Sequence, residues 1–256
     1  MKNILSKIEF HYTFLIMALG LVLTGHFSNL IVFTSLIIAH EIGHFLVALF
    51  WGYKIDRIII YPYGGLTKLN TFVNTNIYKD LLVAISGVIM QCIYFMIIFF
   101  LFNKGVIREY IYNLFLLYHK SMLLFNLLPI VPLDGSKIIN LLLCKYFNFN
   151  LSNNLTVFIS FLTIILLLIS KLYESNYSFL LVIGILLQNI YNFYNEITYI
   201  YNRFLLERYL YNINYNKKKI IRDKNKMYKN RIHLFKVKGK LISEKEYLDY
   251  FFGKKF

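Results

Sequence analysis

The chain has 256 residues, of which 58% are hydrophobic and 18% aromatic, while only 16% are charged. An ordinary soluble domain is roughly 25% charged, and a globule of this size cannot hide so much apolar surface from water. The composition excludes a soluble globular domain and a disordered chain, and it predicts an integral membrane protein.

The net charge of +15 is concentrated near the C-terminus, where residues 196–256 hold sixteen Lys and Arg against six Asp and Glu. A basic tail beside a membrane is typical of the cytosolic side, which faces anionic lipid. Nucleic-acid binding is the less favoured interpretation, and we expect no nucleic-acid partner. Cys92 and Cys144 lack paired spacing, so no disulfide framework is expected.

About six apolar stretches are candidates for spanning helices, since a span needs about twenty apolar residues. In chain order they are Phe10–Thr24, Phe27–Trp51, Leu81–Phe102, Tyr110–Val131, Leu155–Ser170 and Tyr177–Tyr194. Lys and Arg are enriched at the N-terminus, in alternate loops and in the tail. The distribution of positive charge therefore predicts a multi-pass protein with both termini in the cytosol.

Two segments are predicted to lie outside the spans. Ile55–Asn74 alternates β-branched, aromatic and polar residues around Gly64 and Gly65, which favours a membrane-associated β-hairpin after the second span. Residues 196–231 resemble an interfacial helix followed by a linker. The closing stretch reads as a strand, a Lys-Gly turn, a second strand and a helix capped by Ser243.

The predicted fold class is therefore an all-α polytopic membrane protein with that hairpin and a small α/β cytosolic tail. We predict two domains, a transmembrane domain over residues 1–195 and a basic cytosolic linker and tail over residues 196–256.

The second span contains the pentad His40-Glu41-Ile42-Gly43-His44. On a helix, residues four apart project from one face, so His40 and His44 can offer two imidazoles to one metal ion. Glu41 then stands beside the first ligand, where it can take a proton from water. Three ionisable residues within a span are costly, and such residues usually mark function.

Catalytic zinc normally takes three protein ligands, and the best third candidate is Asp134. It follows Pro129 and Pro132, which end the fourth span and free the backbone there. The fourth span exits on the cytosolic side, and His44 lies in the cytosolic half of the second span. The orientation of the two spans therefore allows the three ligands to meet. A capping or topology-setting carboxylate is the alternative role for Asp134.

The pentad and the downstream segment Asn126-Leu-Leu-Pro-Ile-Val-Pro-Leu-Asp134-Gly together resemble the site-2 protease family of intramembrane zinc metalloproteases. The resemblance implies one zinc ion per chain, held by His40, His44 and Asp134, with Glu41 as the general base. It places Asn126 near substrate or the oxyanion, and an interhelical hydrogen bond is the alternative. It also implies that the hairpin at Gly64 and Gly65 binds an extended substrate by β-addition, with a plain loop as the alternative.

The same resemblance, strongest to a sporulation branch of the family, implies a membrane-tethered protein substrate and inhibitory or regulatory membrane partners. Pro-sigma-K is the expected client, which would place the chain on the mother-cell side of the forespore outer membrane. The segment Gly239–Phe252 in the tail resembles part of a CBS module. Alternative functions are a related protease with another client, such as an anti-sigma factor or remnant signal peptide, a metal-dependent transporter, and an inactive scaffold.

Overall fold

A computed structural model describes residues 8–61, 64–170, 178–211, 213, 215, 217–237 and 239–253 of the chain. The described part is mostly helical, as predicted for a membrane protein of this composition. Its helices are α1 (Tyr12–Leu23), α2 (Phe27–Phe50), α3 (Ile77–Asn103), α4 (Glu109–Leu127), α5 (Asp134–Tyr146), α6 (Phe149–Ile169), α7 (Ser178–Leu210) and α8 (Glu244–Gly253). Its strands are β1 (Ile8–Phe10), β2 (Lys54–Tyr61), β3 (Gly64–Asn70), β4 (Lys218–Ile221), β5 (Ile232–Val237) and β6 (Lys240–Ser243).

Each of the six predicted spans overlaps a helix of the structure. Among the described residues, α2, α3 and α6 are long and apolar enough to cross a membrane, and α1 is a shorter apolar helix of 12 residues. The membrane-spanning character is thereby confirmed, while six crossings stay a prediction. The first predicted span began too early, because residues 8–10 form β1, which pairs with β2.

The sequence patterns missed α5, which follows the two prolines directly. Its 13 residues are amphipathic and include Lys137 and Lys145, so it lacked the apolar length by which spans were recognised. Helix α7 continues to Leu210, well past the predicted end of the last span at Tyr194. The predicted division between residues 195 and 196 falls inside this helix and stays a prediction.

The described residues form two compact units by their internal contacts. The first comprises residues 1–71 and 82–127, and the second comprises residues 72–81 and 128–256.

In the first unit, a three-stranded sheet accompanies α1, α2, α4 and most of α3. Strands β2 and β3 form the predicted antiparallel hairpin, with Tyr61 opposite Gly64, and β1 pairs with β2 in parallel. Pro62 and Tyr63, which follow β2 in the sequence, lie outside the described residues. Apolar side chains from the helices and the sheet share one buried core: Phe14, Val32, Leu36, Ile37, Ile60, Phe115 and Met122.

In the second unit, the predicted C-terminal order of strand, turn, strand and capped helix is confirmed. The Ser243 amide donates to Glu246 Oε2 at 2.9 Å, and the Glu246 amide donates to Ser243 Oγ at 3.2 Å. These reciprocal bonds satisfy two backbone donors at the start of α8. Strand β4, which the sequence patterns missed, adds to β5 in parallel.

Arg208, near the end of α7, connects this helix to the β4-β5-β6 sheet region through an ion pair and hydrogen bonds. Its guanidinium pairs with Glu244 at 2.9 Å and donates to the carbonyls of Tyr228, Lys229 and Arg231. Burial works against the charged form of Glu244, but the His233 hydrogen bond and the Arg208 charge outweigh it and lower the pKa of the carboxyl. The tail is therefore an ordered part of the second unit.

Candidate metal centre

The His40–His44 pentad lies in the middle of α2, and both histidines and Glu41 are buried in the first unit. Their candidate ligand atoms all lie within 4.8 Å of one another. The i, i+4 spacing was predicted to bring the two imidazoles together, and their Nε2 atoms are 3.1 Å apart. Two ligands of one tetrahedral zinc ion, with Zn–N bonds of about 2.0–2.1 Å, stand about 3.3 Å apart.

Hydrogen bonds to the other ring nitrogens set the tautomer of both imidazoles. His44 Nδ1 lies 2.7 Å from the Val83 carbonyl oxygen, which only accepts, so this nitrogen carries the proton. His40 Nδ1 lies 3.2 Å from Gln91 Oε1 and donates to it in the same way. Both Nε2 lone pairs therefore face each other, and this arrangement of two acceptors fits a cation bound between them.

Gln91 connects three helices of the first unit around this pair. Its Oε1 accepts from His40 on α2, while its Nε2 donates to the His119 carbonyl oxygen on α4 at 3.0 Å. The second bond orients the amide, so that the oxygen is the atom presented to the imidazole. Gln91 is fully buried. His119 thus takes part in a polar contact between α3 and α4.

Two glycines allow other backbone segments to approach the pentad. A Cβ at Gly87 on α3 would lie 2.3 Å from His44 Nε2 and 2.7 Å from His40 Nε2. A Cβ at Gly65 on β3 would lie 2.3 Å from Glu41 Cγ and 2.6 Å from its Oε1. Glycine at these positions leaves open the space in front of both imidazoles and lets the hairpin lie against Glu41.

The sequence patterns did not single out Gly87, Gln91 or Val83. A glycine and an amide four residues apart on one face of an apolar span were an available signal, because polar side chains within spans usually have a bonding partner. The Val83 carbonyl had no such signal, since backbone atoms are the same at every residue.

Asp134 is the first residue of α5 in the second unit and is 5% exposed. Its Oδ1 accepts from Lys137 Nζ at 2.8 Å. The preceding loop is held on α6, where the Val131 amide donates to Ser160 Oγ and Ser160 Oγ lies within bonding distance of the Pro129 carbonyl. The structure brings His40, Glu41 and His44 together, and Asp134 as the third ligand stays a prediction.

The three residues predicted to contact substrate belong to the first unit, as the pentad does. Asn126 is buried near the end of α4 at 7% exposure. Gly64 and Gly65 begin β3, which pairs with β2 along one edge. Their predicted roles stay predictions.

Replacing Gly87 with alanine is expected to reduce metal affinity by at least about tenfold, because the new methyl group would displace ligand nitrogens from a position that a metal–ligand bond fixes within about 0.2 Å. Bound metal per purified chain, titrated against a chelator, measures the effect. Gly20→Ala in α1 is the matched control, since its Cβ would meet nothing within 4 Å. Equal metal affinity in the two variants would contradict this account of Gly87.

Several known proteins are similar to this chain. The model of peptidase family M50 matches residues 28–114, a range that includes the pentad, Gly87 and Gln91. Stage IV sporulation protein FB of Bacillus subtilis (strain 168) is 32% identical over 210 residues, which cover 81% of this chain and 73% of that protein. A zinc metalloprotease of Methanocaldococcus jannaschii is 27% identical over 188 residues, covering 68% of this chain and 54% of that protein.

The fold is similar to that of the Site-2 Protease from Methanocaldococcus jannaschii, with a TM-score of 0.56 and 23% identity. The similarity covers 72% of this chain and 89% of that structure. At this identity the similarity establishes the fold alone.

Proposed function

Since this chain belongs to peptidase family M50, the site-2 proteases, we propose that it cuts a membrane-tethered precursor protein with a site built from His40, Glu41, His44 and Asp134. The family makes the chain an intramembrane metalloprotease. The residue roles, the client and the orientation in the membrane are our proposals. The residue roles depend chiefly on the convergence of two buried Nε2 lone pairs beside a buried carboxylate.

We assign one zinc ion per chain to His40, His44 and Asp134. Two neutral imidazoles and one carboxylate are a ligand set that suits zinc. When bound, zinc supplies Lewis-acid activation of water and of the scissile carbonyl. The chain's own contribution is to hold both imidazoles as Nδ1–H tautomers through Val83 and Gln91.

Glu41 is the proposed general base. Its carboxylate takes a proton from the attacking water and later delivers it to the leaving amine. The side chain is 4% exposed, and the close approach of Gly65 places the start of β3 beside it. A substrate strand bound near Gly65 would therefore bring its peptide bonds close to this carboxylate.

The hairpin is the proposed substrate platform. Its sheet has the order β1-β2-β3, so β3 is an edge strand within the described residues. An edge strand offers unpaired backbone groups to an extended peptide, and a helical substrate must unwind locally before its carbonyl is accessible. Asn126, buried in the same unit, is the proposed donor to substrate backbone or to the developing oxyanion.

We propose pro-sigma-K as the client, on the basis of the similarity to a sporulation protein. The corresponding location is the mother-cell side of the forespore outer membrane, with both termini in the cytosol, where the basic tail faces anionic lipid. Inhibitory or regulatory membrane proteins complete the proposed set of partners.

Co-expression with membrane-tethered pro-sigma-K in a bacterium that lacks both proteins tests the client. We expect a shortened product that depends on His44, measured by immunoblot with His44→Ala as the inactive control. A tethered anti-sigma factor and a remnant signal peptide, expressed in parallel, test the alternative clients. Cleavage of either of these with pro-sigma-K left intact would contradict the assignment of the client but not the protease.

A further inference from the structure

A cavity of about 340 Å³ is lined by residues of the second unit. It is formed by the start of α3, the end of α5 and the segments before β4 and β5. Side chains in its wall include Tyr78, Lys145, Tyr215, Lys217, Asn230 and Arg231. Its volume falls in the range of small-ligand sites, about 300–1,000 Å³. We call it the basic cavity.

The wall of the basic cavity carries three cations and, among the described residues, no carboxylate. In the part of the chain that the structure describes, no Asp or Glu forms an ion pair with Lys145, Lys217 or Arg231. The nearby acids are committed elsewhere, since Asp80 pairs with Lys229 and Glu244 pairs with Arg208. The cavity therefore presents uncompensated positive charge.

Aromatic rings flank two of these cations. Arg231 lies 4.7 Å from the centre of the Tyr228 ring, and Lys145 Nζ lies 5.7 Å from that of Tyr78. Cation–π attraction of this kind holds the charged groups at the wall without neutralising them. A guanidinium and two ammonium groups around one cavity are the donor set that recognises phosphate.

The side-chain oxygen of Asn230, in the wall of the basic cavity, lacks a hydrogen-bond donor within the described part of the chain. Its Oδ1 atom is buried and has no hydrogen-bond partner among the described residues. A buried acceptor without a partner costs about 1–3 kcal/mol, and a ligand hydroxyl would satisfy it.

We propose that the basic cavity binds a phosphate group with a neighbouring hydroxyl. Such a group is present both in soluble phosphate esters and in the glycerol headgroup of phosphatidylglycerol. The three cations bind the phosphate oxygens, and Asn230 Oδ1 accepts from the hydroxyl. The inference depends on this cavity alone and is independent of the proposed protease activity.

The test uses the full chain in phosphatidylcholine nanodiscs, titrated with sn-glycerol 3-phosphate in a calorimeter. We expect saturable binding that weakens at least about tenfold in Lys145→Gln/Lys217→Gln/Arg231→Gln, because charge-assisted hydrogen bonds are the strong ones. The matched control Lys236→Gln/Lys240→Gln/Lys245→Gln removes the same charge from exposed residues of the same unit, and a change below about twofold is expected. Lys217→Gln alone, at an exposed residue, repeats the test should the triple variant not fold.

Two further measurements separate the ligand sources and test Asn230. Nanodiscs containing phosphatidylglycerol should abolish binding of the soluble ester if the lipid headgroup occupies the cavity, and leave it unchanged if a soluble ester does. Sulfate, which has no hydroxyl at neutral pH, should bind less tightly than the ester, and Asn230→Ala should remove that preference. The proposal is wrong if neither the ester nor the lipid binds saturably, or if both triple variants weaken binding equally.

Discussion

Glu41→Gln is expected to reduce cleavage by about 10²–10⁴-fold while the metal stays bound, because general acid–base catalysis contributes about that factor. Glutamine keeps the shape of glutamate beside Gly65, where the backbone of β3 leaves little room for a different side chain. The glutamine amide, unlike the glutamate carboxylate, cannot take the proton from water. Single-turnover cleavage of a tethered substrate by purified protein, with zinc measured in the same sample, checks both parts of the prediction.

Glu9→Gln is the matched control for this experiment. It removes one carboxylate from the same unit, but Glu9 is exposed and pairs with Arg57 at 3.4 Å on the surface of the sheet. Exposed pairs of this kind contribute little, so activity within about twofold of wild type is expected. Wild-type turnover by Glu41→Gln would refute the general-base assignment. The alternative function, a metal-dependent transporter, predicts instead a metal flux that Glu41→Gln leaves unchanged.

Asp134→Ala is expected to lower zinc affinity by at least about a hundredfold, since even the loss of a partner outside the ligand set costs 10–100-fold. Activity should fall with it. The residue is buried at the start of α5, so alanine fits in the space that the carboxylate leaves. Zinc content after dialysis against a series of chelator concentrations measures the affinity.

Lys137→Ala separates the ligand role of Asp134 from a structural one. The variant removes the ammonium group that pairs with Asp134 Oδ1 at 2.8 Å and leaves the carboxylate in place, so zinc binding should remain. If Asp134→Ala retains its zinc, or if Lys137→Ala loses as much zinc as Asp134→Ala, the third-ligand assignment is wrong.

The sequence alone determined the features that depend on local periodicity and composition. Apolar length predicted a helical membrane protein, and the alternating pattern of Ile55–Asn74 predicted the hairpin. Ser243 with Glu246 predicted a helix start, which two reciprocal hydrogen bonds confirm. The four-residue spacing of His40 and His44 predicted that their rings would meet, because the geometry of one helix fixes that distance.

Tertiary structure decided the features that depend on distant segments. The proton positions on the two imidazoles follow from the Val83 carbonyl and the Gln91 amide, which lie 39 and 51 residues along the chain from their partners. Gly87 and Gly65 matter because the backbones of α3 and β3 pass close to side chains of α2. No local pattern encodes such an approach, since helix propensity and hydropathy are the same whichever neighbour a residue meets. Periodicity thus brought the two imidazoles together, and packing determined which nitrogen of each ring faces the other.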